Sequence, residues 1–183
     1  MLKTIKINTI FKNKYLELQN NNVVDEVTNK SFEHIRLIEK ETDYPGAVAI
    51  CKFEDRLLLI NNYRYGINRM SLEFPRGYVE KGETLEECAI RELFEETGVI
   101  FNPTVDSIKK LGEVAVSSSI MATMTPFYLI EIKQSLPEIH LQKEENIEDF
   151  KWESIDNIIN LIKENKIVDS FTICGIGFSQ LFR

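Results

Sequence analysis

Residues 77–99 read GYVEKGETLEECAIRELFEETGV, and no other stretch constrains the chain as much. Thr84 is placed as a helix N-cap because Glu87 follows at the third position and completes a capping box. Gly98 is expected to end the helix in a left-handed cap. Between them, each residue turns by about 100°, which sets Glu92 and Glu96 within about 40° of each other and Glu95 about 60° from Glu92. Ile90, Leu93 and Phe94 fall on a separate arc that can face a core. The spacing therefore predicts an amphipathic helix over Leu85 to Thr97, with a row of carboxylates on one face.

Such a row is self-repelling. Like charges at i, i+4 cost an isolated helix a few tenths of a kcal/mol, roughly, and more in a cleft of lower dielectric. A divalent cation that prefers oxygen is the natural source of compensating charge. Arg91 can hold Glu83 or Glu95 in place, while Gly77 and Gly82 let the loop fold closely around the helix start. A glutamate stripe is more often just a solvated face. Seven specified positions argue against coincidence here: Gly77, Glu83, Arg91, Glu92, Glu95, Glu96 and Gly98. At about 6% per position, their joint chance is on the order of 10⁻⁸.

These residues resemble the Nudix box: a Gly, five residues, a Glu, seven residues, then Arg-Glu-apolar-X-Glu-Glu-X-Gly-apolar, with Leu93 and Val99 as the apolar positions. The resemblance implies an α+β fold, an αβα sandwich around a mixed sheet, with the box forming a loop-helix-loop metal site. It implies Glu92 and Glu96 as metal ligands, Glu95 as a further ligand or water-orienting acid, and the carbonyl of Arg76 as another ligand. Gly77, Glu83, Arg91 and Gly98 would be structural supports. The ion would be Mg²⁺, with Mn²⁺ able to substitute.

Segments outside the box resemble the ADP-ribose and nucleotide-sugar pyrophosphatase branch: Asn62-Tyr63-Arg64-Tyr65, Leu72-Glu73-Phe74-Pro75-Arg76-Gly77, Asp43-Tyr44-Pro45-Gly46-Ala47, and Asp169 with Thr172. Arg64 could pair with a phosphate or stack on a base, or be an ordinary strand-end arginine. Glu73 could accept from a base or ribose, or brace a turn. Tyr63 and Tyr65 could sandwich an adenine, or pack on the core. In that branch a late acidic loop supplies the general base. Glu144 and Glu145 are the candidates, with Glu145 favoured because it lies two residues before Ile147. Lys143 departs from the Glu-X-Glu spacing common there.

The rest of the chain reads as follows. Residues 2–40 alternate in short strands, with Asn20-Asn21-Asn22 as a turn signal. Ala47 to Phe53 and Arg56 to Tyr63 are core strands joined at Glu54-Asp55, and residues 71–83 are expected to form a loop. Further strands are placed at Gly112 to Val116, Thr125 to Lys133 and Phe150 to Glu153, with an acidic loop from Lys143 to Asp149. Ser154 is expected to cap a helix to about Asn165, and Asp169 a last one that Gly175 and Gly177 weaken. A small β lobe over 1–42 then precedes the main hydrolase domain over 43–183. In similar pyrophosphatases such a lobe packs across a two-fold, so a homodimer is expected.

Composition removes other classes. At 183 residues, 43% hydrophobic, the chain can bury a core without disulfides. A net charge of -7 and no basic run disfavour nucleic acid as a partner. Cys51, Cys88 and Cys174 show no metal spacing and read as reduced thiols of a cytoplasmic protein. The alternating start offers no signal-peptide h-region, and no apolar stretch approaches the roughly 20 residues of a membrane helix. The expected reaction is hydrolysis of a small nucleotide diphosphate, ADP-ribose to AMP and ribose 5-phosphate. The alternatives are another nucleotide-sugar or dinucleotide pyrophosphatase, or a module that senses ADP-ribose without cleaving it.

Overall fold

A computed structural model describes residues 1–40, 42–141 and 146–181. The chain divides into two compact units, Met1–Pro45 with Ala115–Thr125, and Gly46–Val114 with Pro126–Arg183.

The first unit is an antiparallel sheet of β1 (Leu2–Lys6), β2 (Thr9–Lys12), β3 (Leu16–Asp25) and β4 (Ser31–Glu39). β4 pairs along Leu16–Val24 of β3, while β1 and β2 share its other edge end to end. The asparagine run does not turn the chain; it lies inside β3. The Asn21 and Asn22 side chains meet Asn8 in the break between β1 and β2, while the Asn20 side chain donates to Glu33 of β4 at 2.8 Å. Asn8 donates its backbone N–H to the Asn21 Oδ1 at 3.1 Å and its side chain to the Asn20 carbonyl at 3.0 Å, and Asn21 donates to Gln19 at 2.8 Å. Polar groups satisfied in this way no longer compete with the strand backbone. The actual turn follows Asp25, whose carboxylate accepts from the Val27 amide at 2.9 Å and the Thr28 hydroxyl at 3.0 Å. Segment Ala115–Thr125 joins this unit by bonds from Leu37 N–H to the Ile120 carbonyl and from Ala122 N–H to the Leu37 carbonyl, 2.7 and 2.8 Å.

The second unit is built on a mixed sheet of β5 (Gly46–Phe53), β6 (Arg56–Arg64), β7 (Arg69–Glu73), β8 (Arg76–Tyr78), β9 (Ser107–Val114), β10 (Thr125–Ile132) and β11 (Ile147–Ser154). The main order is β11-β6-β5-β10-β9, with β10 parallel to β5. In β5 every residue from Gly46 to Cys51 is buried, the mark of a strand covered on both faces. Ala47, Ala49 and Cys51 pack with Cys88, Ala89 and Leu93 of α1 (Leu85–Thr97). Val48 and Ile50 share the opposite core with Ile155 and Ile158 of α2 (Ile155–Lys163) and Ile176 of α3 (Ser170–Leu181). Helix, sheet, helix: this is the sandwich expected from the sequence.

The hairpin at Glu54-Asp55 forms, and β5 and β6 pair only beside it, at Lys52–Leu57 and Phe53–Arg56. Beyond that they part. β7 takes the freed edge of β6 and β8 that of β5. The stretch expected as a plain loop over 71–83 is thus partly strand. Its Pro75 lacks an N–H but offers a carbonyl, which accepts from the Ala49 amide at 2.9 Å. The other boundaries shift modestly: β9 starts earlier than expected, the acidic stretch is already strand from Ile147, and α2 ends at Lys163. Among the described residues no helix is long and apolar enough to cross a membrane.

Candidate active site

The capping box forms as the sequence requires. Thr84 accepts from the Glu87 amide at 3.2 Å, and Glu87 accepts from the Thr84 amide at 2.8 Å. Gly98 closes α1 at φ 75°. The helix starts and stops where expected, so its carboxylates are in register. Glu92 and Glu96 are not on a solvated face: they are 7% and 2% exposed, while Glu95 is partly open. Leu93 is buried as expected, but Phe94 stands half exposed rather than in the core.

Burying carboxylates is costly unless each is compensated. Arg91 compensates several at once. Its Nε and one terminal nitrogen donate to Glu83 at 2.8 and 3.1 Å, and the same terminal nitrogen donates to the Tyr78 carbonyl at 2.8 Å. The other terminal nitrogen donates to Glu92 at 2.8 Å and Glu95 at 2.7 Å. The sequence offered Glu83 or Glu95; the structure uses both and adds Glu92. The bond to Glu83 chiefly raises the Arg91 pKa above its ordinary range, and the same bond holds the Glu83 carboxyl below its own. Gly77 lies under Glu92: a Cβ there would come within 2.1 Å of the Glu92 carboxylate. Cys88, packed beneath, has its thiol pushed up to about 12 by burial and by the Glu92 charge.

A second cluster begins one residue before Gly77. The Arg76 backbone N–H donates to Glu96 at 3.0 Å. The Arg76 side chain donates to both oxygens of Asp169, at 2.9 and 3.1 Å, and lies 3.5 Å from Glu73. Glu73 also accepts from Arg64 and is fully buried. Burial works against the Arg64 charge, but the bond and charge of Glu73, with help from Glu96 and Asp169, more than offset it, so its pKa rises. Asp169 caps α3 through the Thr172 amide at 2.8 Å, as its position implied. Tyr65 is 89% exposed at the start of the 3₁₀ turn Tyr65–Ile67, and the Tyr63 hydroxyl donates to Asn68 at 2.6 Å. Glu144 and Glu145 lie outside the described residues.

The site is thus two bonded clusters, Arg91 with Glu83, Glu92 and Glu95, and Glu73 with Arg64, Arg76 and Asp169, joined by the bond from the Arg76 N–H to Glu96. Its donor set, carboxylate oxygens beside a backbone turn, suits a hard divalent cation. Among the described residues no three acidic, His or Cys side chains are arranged to hold a metal ion, and Arg91 is bonded to Glu83, Glu92 and Glu95.

A NUDIX domain profile matches residues 43–172. The chain belongs to the NUDIX domain family. It is a Nudix hydrolase, of a family that generally uses divalent metal ions. It is 28% identical over 181 residues to the methanol dehydrogenase activator of Bacillus methanolicus, covering 98% of this chain and 92% of that protein. With the ADP-ribose pyrophosphatase of Bacillus subtilis (strain 168) it shares 26% over 181 residues, with the same two coverages of 98% and 92%. A crystal structure of an ADP compounds hydrolase superposes at a TM-score of 0.77 over 99% of this chain and 93% of that one; at 15% identity it speaks for the fold.

What the sequence missed is the double use of Glu73 and the bond from Arg76 to Asp169. The second had a signal: an acid three residues before a threonine, at a helix start, far along the chain. The first had none, because nothing in a short strand tells which acid will be sealed under two arginines.

Proposed function

We propose that this Nudix hydrolase cleaves the diphosphate of ADP-ribose, releasing AMP and ribose 5-phosphate, with Mg²⁺ as its ion and Mn²⁺ as a substitute. The observation that carries the reading is the burial of Glu92 and Glu96 on one helix face, beside an arginine cluster that can meet phosphate. The Bacillus subtilis relative, similar along nearly the whole chain, supports the choice of substrate.

Glu92, Glu95, Glu96 and the Arg76 carbonyl would hold the ion. Bound there, it would supply positive charge to the diphosphate and acidify a water. The protein's own groups do the rest. Arg91 steadies Glu83 and must release Glu92 and Glu95 toward the ion. Arg64, about a third exposed and braced from behind by Glu73, turns a free edge toward a phosphate oxygen. Tyr65, next to it and open, offers a ring to the base. Glu145, or Glu144, takes the proton as water adds to phosphorus and the bridging P–O bond breaks.

The chain would work as a cytoplasmic homodimer on a small nucleotide diphosphate, with neither nucleic acid nor membrane as partner. Its three free cysteines accord with a reducing compartment. A second reading, favoured by the Bacillus methanolicus relative, is a role in activating another enzyme. Incubation with ADP-ribose and Mg²⁺ tests the first: AMP is expected, and Glu96→Gln should cut its release by orders of magnitude while the fold persists. Intact ADP-ribose after prolonged incubation, across a panel of ADP-sugars, would refute it.

A further inference from the structure

Phe74 and Pro75 link β7 to β8, and both Phe74 and Arg76, the first residue of β8, are fastened to one short stretch more than ninety residues later. The Phe74 amide donates to the Thr172 hydroxyl at 3.1 Å, across 98 residues of sequence. The same hydroxyl donates to Asp169 at 2.8 Å. Arg76 donates to both oxygens of Asp169, and its guanidinium lies 4.5 Å from the centre of the Phe171 ring. Thr172 is fully buried, and the Arg76 and Asp169 side chains are 16% and 11% exposed, so solvent weakens these bonds little. In the middle, Pro75 is held by the Ala49 amide.

The link matters because of what its far side touches. The Arg76 backbone N–H fixes Glu96, and Gly77 is the surface against which Glu92 rests. We propose that Asp169 and Thr172 are positioning residues for the metal-binding carboxylates. Through the Arg76 side chain and the Phe74 amide they set the backbone from 74 to 77, and through that backbone the orientation of Glu96. The inference rests on reading Glu92, Glu95 and Glu96 as cation ligands. It adds that the N-terminus of α3 controls how well they bind. Groups that orient metal ligands in this way typically change affinity about 10- to 100-fold when lost.

The readout is Mn²⁺ binding to the substrate-free protein, followed by electron paramagnetic resonance or calorimetry, with thermal midpoints measured in chelator. Asp169→Asn and Thr172→Val should each weaken Mn²⁺ about tenfold or more. Ser154→Ala is the control: it removes the N-cap of α2 and should lower the midpoint with Mn²⁺ affinity unchanged within about twofold. In an Arg76→Gln background, Asp169→Asn should weaken Mn²⁺ less than it does in the wild type, because its direct route to Glu96 is cut and only the one through Thr172 and the Phe74 amide remains. Should Asp169→Asn fail to fold, the near-isosteric Thr172→Val carries the test. If both folded variants bind Mn²⁺ like wild type while Glu96→Gln does not, the positioning role is wrong and the ligand reading stands. If Glu96→Gln also binds like wild type, the ligand reading falls and the proposal falls with it.

Discussion

Glu92 is held from two sides, by a charge and by an absence. Arg91 supplies the charge, and the missing side chain of Gly77 supplies the room. Adding one methyl at Gly77 would place carbon 2.1 Å from the carboxylate, so Glu92 must move by more than an ångström. Gly77→Ala is therefore expected to lower kcat at least 100-fold, on the order seen when reacting or binding groups are misplaced by about 1 Å. Steady-state kinetics on the folded variant checks this; activity within tenfold of wild type would contradict it. A different residue reports on acid stability. The bonds from Gln19, then Thr9 and Lys12, hold the Glu17 carboxyl down to about 2 from an ordinary 4.5. Glu17 therefore stabilises the folded chain fully above about pH 4.5, and its contribution fades as pH falls toward 2. Urea midpoints of wild type and Glu17→Gln should differ most above about pH 4.5 and draw together as pH falls, meeting only below about 2; a gap independent of pH would rule this out.

At the scale of elements, α3 carries two glycines that the sequence could only count against it, and the structure separates them. A Cβ on Gly177 would meet nothing within 4 Å, and the position is exposed. Gly177→Ala should therefore stabilise by about 0.5–1 kcal/mol, through helix propensity and a less free unfolded chain. A Cβ on Gly175 would lie 2.9 Å from Phe74 and 3.1 Å from Ile50. There the same change should cost about 1–3 kcal/mol from overpacking. Denaturant melts of the two variants should move in opposite directions, and movement in the same direction would defeat the argument. The contrast also shows what a sequence can and cannot convey. The capping box, the carboxylate face of α1 and the Ser154 cap are set by residues a few positions apart, so their chemistry could be read directly. β7 and β8 could not: they are short, flank a proline, and exist because β5 and β6 part and leave edges to fill. The asparagines of β3 read as a turn until Asn8, in the break between β1 and β2, supplies a partner for them. Glu73 and Asp169 matter through arginines that only the folded sheet brings to them.

For the molecule as a whole, the first unit poses the open energetic question. Every residue of β1 and β2 is exposed, and Ile5, Ile7 and Ile10 are each about 60% exposed, with Phe11 at 50%. Scattered exposed apolar residues are ordinary; two consecutive strands of them on one edge of a small sheet are not. Such strands gain little from burial within their own unit, and an unprotected apolar edge invites pairing with another chain. The homodimer proposed above would turn that liability into an interface, since a two-fold contact lets the same strands cover one another. Sedimentation at micromolar concentration should then give twice the monomer mass. Replacing Ile5 and Ile10 together by Asp should return the monomer without loss of folded signal, because neither side chain contributes to a core. A wild-type protein that stays monomeric to concentrations of about 100 μM, weaker than the affinities of most specific complexes, would leave these strands for some other partner and overturn the dimer.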